Sequence, residues 1–135
     1  MVDMYMPRHM MTLSKAEKNI VKYHKDTISS GKVGRDADGR PVTVYSTGII
    51  IPEGPNKGKF VSVPGYIRDK GKIITNEDQL YDIYKKDIQS GKYPIYNTAA
   101  ELNKRSQEIH TIMDQEEDDA RKSMRSLSKR PLLGR

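Results

Sequence analysis

Val42-Thr43-Val44-Tyr45-Ser46-Thr47-Gly48-Ile49-Ile50-Ile51 and Phe60-Val61-Ser62-Val63-Pro64 flank Glu53-Gly54-Pro55-Asn56-Lys57-Gly58-Lys59. The first run alternates around β-branched residues and the second is short and apolar, and both are strand patterns. The glycines and Pro55 between them predict a hairpin. Gly48 interrupts the first run and predicts a bulge there. Gly65 to Lys72 reads as a second loop, and Ile73-Ile74 as a short third extended piece.

Two helices follow. Thr75 and Asn76 open the first, with Glu77 and Asp78 in the turn where the helix dipole favours acid. Leu80, Ile83, Tyr84 and Ile88 share one face at helical spacing, and Gly91 ends it. Pro94 sits in the connection. Asn97-Thr98 opens the next helix, and Thr98-Ala99-Ala100-Glu101 has the form of a capping box. Leu102, Ile109 and Met113 supply its inner face, with Ala99, Ser106 or Ile112 beside them. Helices joined so closely pack together, against one face of the strand pair. Val42 to Met113 is thus the stretch patterned to bury a core. The expected fold is α+β: a two- or three-stranded antiparallel sheet packed by two helices, with an additional N-terminal helix and extended termini. The expected divisions are an arm and helix over 1–35, a core module over 36–115, and a charged helix end with a basic tail over 116–135.

Upstream of that core, Ser14-Lys15-Ala16-Glu17 is another capping box. Ala16, Ile20, Tyr23 or His24, and Ile28 recur at helical spacing, and Gly31 is a stop. These predict a helix from about Lys15 to Ser29. Its apolar stripe is narrow, and Lys15, Lys18, Lys22 and Lys25 fill much of the rest. Such a helix needs a surface to lie on: its own domain, a partner or a phosphate backbone. Met1 to Thr12 holds five Met, with Tyr5, Pro7 and His9. Pro7 and the lack of caps argue against a helix there. Methionine fills irregular gaps, so Met4, Tyr5, Met6, Met10 and Met11 are candidate contacts with a neighbouring protein, as are Lys18, Lys22 and Lys25.

Downstream, Asp114 to Asp119 is acidic apart from Gln115, and no acid follows Asp119. The last helix is expected to run to about Met124, with Glu117 facing Arg121. The tail beyond Ser126 is expected to order only when bound. Arg121, Lys122, Arg125, Lys129, Arg130 and Arg135 are candidate contacts for nucleic acid or an acidic partner. The abutting acidic and basic blocks also suit pairing between copies in an assembly.

Composition narrows the classes of function. The chain has 135 residues, enough for one domain with extensions. Hydrophobic residues make up 35% and charged residues 31%, which suits a small core with solvated ends. Trp is absent, Phe occurs once and Tyr eight times, so tyrosine carries the aromatic packing. The net charge of +6 favours an acidic partner, whether nucleic acid, an anionic surface or a protein face. Cysteine is absent, which excludes disulfides, thiolate metal sites and a Cys nucleophile. No apolar run approaches the roughly 18 residues of a membrane span. No apolar stretch follows Asp3 and Arg8, so a secretory leader is not expected.

Apparent chemical motifs fail on spacing. Asp36-Ala37-Asp38-Gly39 resembles the start of a calcium loop, but Arg40, Pro41 and Thr47 stand where an oxygen ligand, Gly and Glu are needed. Gly54 to Phe60 resembles a phosphate loop, but three residues separate its glycines and Phe60 replaces the hydroxyl residue. His9, His24 and His110 lie on separate segments without metal spacing. No nucleophile, base and orienting group converge in the pattern. The sequence therefore predicts no catalytic residues, no metal and no cofactor, and an enzyme is not expected.

Several pieces together resemble a small module of tailed-bacteriophage virion-associated proteins, also found within large internal or ejected virion proteins. They are Ile49-Ile50-Ile51-Pro52, Val61-Ser62-Val63-Pro64-Gly65-Tyr66, Gly71-Lys72-Ile73-Ile74-Thr75-Asn76-Glu77-Asp78, Ser90-Gly91-Lys92, and Thr98-Ala99-Ala100-Glu101 through Met113-Asp114-Gln115. The resemblance covers Gly39 to about Gln115. It departs at Leu102-Asn103-Lys104, where the module usually has a small Ala and an aromatic. It implies a non-enzymatic structural, assembly or ejection-related role in the virion, with host cytoplasm as the place of assembly. Other virion proteins, in multiple copies, are the expected partners. The alternative is a small basic phage protein that binds DNA through its lysines and basic tail.

Overall fold

A computed structural model describes residues 13–129, with side chains over 13–115. Helix α1 spans Lys15–Ser30. The Ser14 hydroxyl accepts from the Glu17 amide at 3.1 Å, and the Ser14 amide donates to Glu17 Oε1 at 2.8 Å, which is the capping box the sequence predicts. Gly31 ends the helix at φ 73, a left-handed conformation that glycine adopts without strain. Strands β1 (Gly34–Arg35) and β2 (Pro41–Val42) form a small hairpin around the Asp36 to Gly39 turn.

Strand β3 (Ser46–Ile50) pairs antiparallel with β4 (Phe60–Pro64) in the register Ser46 to Pro64 through Ile50 to Phe60. Strands β5 (Tyr66–Ile67) and β6 (Lys72–Ile73) make a second small hairpin. Helix α2 spans Glu77–Gln89, and its Asn76 side chain accepts from the Gln79 amide at 3.0 Å. Strand β7 (Ile95–Tyr96) pairs with the far side of β4. Helix α3 begins at Ala99 and continues to Lys129, past the expected end near Met124. The Thr98 hydroxyl caps it by accepting from the Glu101 amide at 3.1 Å.

The fold is therefore α+β, with central strand order β3-β4-β7. Its β4 strand is buried on both faces except at Phe60. A Cβ on Gly48 would point at Leu102 of α3, so the even-numbered positions of β3 face α3. Alternation places Ile49 on the opposite face, where α2 packs against β3 and β4. Helices α1 and α3 pack on each other and both reach β4. One core cluster links Leu13, Ile20 and Val21 with Ile49, Val61, Val63, Leu80, Tyr84, Ile109 and Ile112.

Four sequence expectations change. Helix α1 lies on its own domain, one of the three surfaces open to it, but its buried positions are Glu17, Ile20, Val21, His24 and Thr27, while Ile28, expected on the inner stripe, is exposed. The break in the first strand run falls at Tyr45, whose φ of 55 ends regular pairing, and not at Gly48. Gly48 stays in register opposite Ser62 because the missing side chain makes room for Leu102. The third central strand is β7, from the link that reads as a connection, whereas Ile73 joins the outer hairpin. On α2, Ile83 is 40% exposed and Tyr81 is buried instead. Tyrosine suits that position because its hydroxyl reaches Glu53 Oε2 at 2.9 Å at the rim.

Two stability changes follow from this packing. A Cβ on Gly48 would sit 2.9 Å from Leu102 Cδ2. Gly48→Val should cost about 1–3 kcal/mol in urea denaturation, and Leu102→Ala should relieve part of it as a non-additive double mutant. Among the described residues the buried Ser62 hydroxyl has no hydrogen-bond partner. Ser62→Ala should be neutral or stabilising by up to about 1 kcal/mol in the same assay.

Candidate interaction surfaces

The Glu17 carboxylate is buried, 3% exposed, and both of its oxygens are hydrogen-bonded. The α1 spacing that buries Ile20, Val21 and His24 also turns Glu17 inward. From α3, Arg105 donates through Nε to Glu17 Oε2 at 2.8 Å and through Nη2 to Oε1 at 2.7 Å. This is the bidentate geometry that guanidinium and carboxylate favour. Tyr96 of β7 donates to Oε2 at 2.6 Å, and Arg105 Nη1 reaches Glu108 at 2.6 Å. Burial by itself would raise the Glu17 carboxyl. The hydrogen bonds from Arg105, the Ser14 amide and Tyr96 outweigh it and bring the pKa from 4.5 down to about 2. Burial, and then the Glu17 hydrogen bond, push the Tyr96 phenol up. A cleft of about 610 Å³ opens beside this group, lined by Ser14, Gly91, Tyr93 and Lys104 among others. Every oxygen of Glu17 already has a partner, so the group acts as a lock between elements.

A second polar junction ties α1 to the outer hairpin. The Arg68 guanidinium stacks 4.4 Å from the Tyr23 ring centroid and donates to Tyr23 O and Thr27 Oγ1. The Tyr23 hydroxyl donates to Tyr66 O at 2.6 Å. His24 is buried, with Nδ1 2.6 Å from Thr43 Oγ1. These contacts hold α1 so that Lys18, Lys22 and Lys25 all face outward on one stripe. Lys22 pairs with Asp26 at 2.6 Å, and this hydrogen bond lowers the Asp26 carboxyl pKa.

A third feature is an apolar groove of about 580 Å³ between the chain leading into β3 and helix α3. Pro41, Val44, Tyr45 and Met113 line it, with His110 and Ser106 at its rim. Tyr45, in its left-handed conformation, is 44% exposed. Such a backbone is strained for a bulky residue, and the Gly65 amide holds it by donating to Tyr45 O at 2.9 Å.

The predicted contact residues separate by place. Lys18, Lys22 and Lys25 share the exposed stripe of α1. Arg121, Lys122, Arg125 and Lys129 lie along the backbone of α3, beyond the described side chains. Met4, Tyr5, Met6, Met10, Met11, Arg130 and Arg135 fall outside the described residues. Among the described residues no group of three or more His, Asp or Glu is placed to hold a metal, and no helix is long and apolar enough to cross a membrane. In the sequence Glu17 reads as a cap alone, and Arg105 and Arg68 stand in no motif. For Glu17 the signal was present, since it stands three and four residues before Ile20 and Val21. Comparison with protein-family models, curated proteins and solved structures finds no match to this chain.

The lock makes stability depend on acid. A depressed native carboxyl stabilises fully above its unfolded pKa and loses that contribution as pH falls through the native value. Here the window runs from about pH 4.5 down to about 2, with a contribution on the order of 3 kcal/mol. Glu17→Gln should lower stability at pH 7 by a similar amount and flatten the pH dependence across that window, as read from urea midpoints.

Proposed function

We propose that this chain is a non-enzymatic structural or assembly protein of a bacteriophage virion, with an ejection-related role as one form of it. It would bind neighbouring virion proteins through segments outside its core. The observation that carries the reading is the course of α3. Met113 belongs to the core cluster, and the backbone stays helical well beyond it, to Lys129. The extra length is roughly 24 Å at about 1.5 Å per residue. It passes through Asp114 to Asp119 and into the basic block. So polar a helix gains most of its stability from something it packs on. A neighbouring virion protein, met in many copies, fits that need. Met4, Tyr5, Met6, Met10 and Met11 would add apolar contacts from the other end of the chain, and Lys18, Lys22 and Lys25 would add charge. Weak contacts of this kind gain strength together when each copy is held in a particle.

The lysine stripe of α1 favours a second reading, a small basic protein that binds phage DNA. Lys18, Lys22 and Lys25 are exposed on one side of the helix, and the basic block of α3 carries the same sign. The pairing of Lys22 with Asp26 weakens the case for a phosphate track there.

The experiment is to tag the chain during infection and look for it in purified particles. Incorporation should require residues 1–12 and 114–135, while a chain lacking both keeps its fold in solution. Absence from particles, together with DNA binding that falls steeply with salt and with neutralisation of Arg121, Lys122, Arg125, Lys129 and Arg130, would replace the first reading with the second.

A further inference from the structure

The outer edge of β3 carries an inference that does not depend on where the chain acts. In the β3–β4 ladder, Tyr45 O accepts from Gly65 N and Ile51 N donates to Lys59 O, both at 2.9 Å. On the other side of β4, the Ser62 amide turns away toward Pro94 O at 3.1 Å. Antiparallel bonds alternate along a strand. The amides and carbonyls of Ser46, Gly48 and Ile50 therefore point away from β4, at the edge of the sheet. All three residues are exposed, and among the described residues no backbone hydrogen bond outside the ladder reaches them.

Exposed edges in soluble proteins are commonly guarded by a lysine, a proline, a bulge or a very short strand. The opposite edge, β7, is two residues long and so is guarded by its shortness. Strand β3 has five residues, unbroken register, and no charge or proline within it. The longest stretch of the chain without Asp, Glu, Lys or Arg runs from Pro41 to Pro52 and contains it. Ile50, at the end of the edge, is 48% exposed.

We infer that this edge is the contact between two copies of the chain, joined β3 to β3 in antiparallel register about Gly48. The edge complements itself. Ser46 would bond Ile50 of the partner copy, Gly48 would bond its own counterpart, and Ile50 would bond Ser46, giving one continuous six-stranded sheet. That self-complementarity about Gly48 points to a second copy as the occupant, and the charge pattern permits it. Two chains of net charge +6 repel each other, and this neutral stretch lets them meet without like charges in contact. Ile50 shares the face of β3 that α3 covers and would lie diagonally across from the other copy's Gly48, beside its Leu102. So short an edge buries less than the roughly 1,200 Å² of a stable interface. The pair is therefore weak when dilute and fills as concentration rises.

The test is sedimentation equilibrium from micromolar to millimolar protein, with amide exchange followed by NMR. The mass should rise toward twice that of one chain, and the Ser46, Gly48 and Ile50 amides should slow by about tenfold or more as it does. Ile50→Pro removes an outward N–H and leaves the β4 ladder intact. It should stay folded by circular dichroism and remain monomeric throughout. Wild-type protein that is monomeric at every concentration overturns the inference. So does a dimer in which those three amides still exchange fast, a result that stands even if the proline variant fails to fold. A folded Ile50→Pro dimer as tight as wild type also overturns it, and places the contact elsewhere.

Discussion

The Glu17 carboxylate, held by Arg105, Tyr96 and the Ser14 amide, is the contact on which the arrangement of the chain depends. It joins the first helix, the last short strand and the last helix, elements separated by most of the sequence. A buried carboxylate is costly unless its lone pairs are taken up. Here each partner comes from a different element, so only the correct packing of α1, β7 and α3 satisfies it. Removing one element strands a charge as well as exposing apolar surface. That gives α1, whose apolar stripe is narrow, a reason to adopt one position on α3 instead of sliding along it.

Tyrosine plays the same part on a smaller scale. The chain has little apolar residue to bury, and several of its junctions close with a phenol that is apolar in the core and polar at its tip. Tyr84 donates to Pro64 O at 2.6 Å and stacks edge-on to Tyr93, fixing α2 over the sheet. Tyr81 reaches Glu53 in the hairpin loop. Tyr66 donates to Lys32 O and passes so close to Gly34 that a Cβ there would overlap its ring. Each hydroxyl bonds a backbone carbonyl or a carboxylate of another element, so each ring brings orientation along with burial.

How much of this could be read from the residues depended on whether the cause was local. Caps at Ser14, Asn76 and Thr98 involve three or four consecutive residues, and all three helix starts were legible. Strand β4 was legible because its five residues lie between Lys59 and Gly65 and end on Pro64. Strand β7 was not, because two residues between Pro94 and Asn97 carry no periodicity, and only the open side of β4 makes them a strand. Gly48 misled because glycine in a strand more often marks a bulge. Its actual cause, the Leu102 side chain, lies on another element. The choice of Tyr81 over Ile83 likewise depends on Glu53. As for the candidate surfaces, the lysine stripe was visible in helical spacing, whereas the groove beside Tyr45 required the left-handed break that the Gly65 amide stabilises.

The lock also shapes the surface. Holding α1 by its inner face leaves its lysines turned outward, and burying Ile112 and Met113 settles the rotation of α3 as it leaves the core. Charge is therefore concentrated on the helices, while the sheet ends in the neutral run from Pro41 to Pro52. The three helices carry nearly balanced charge, so net repulsion between copies comes from the basic loops and termini outside them and is least at the β3 edge. The same packing that turns the charged side chains of helices and loops outward leaves one strand edge without charge, and that edge is where a second copy meets the least repulsion.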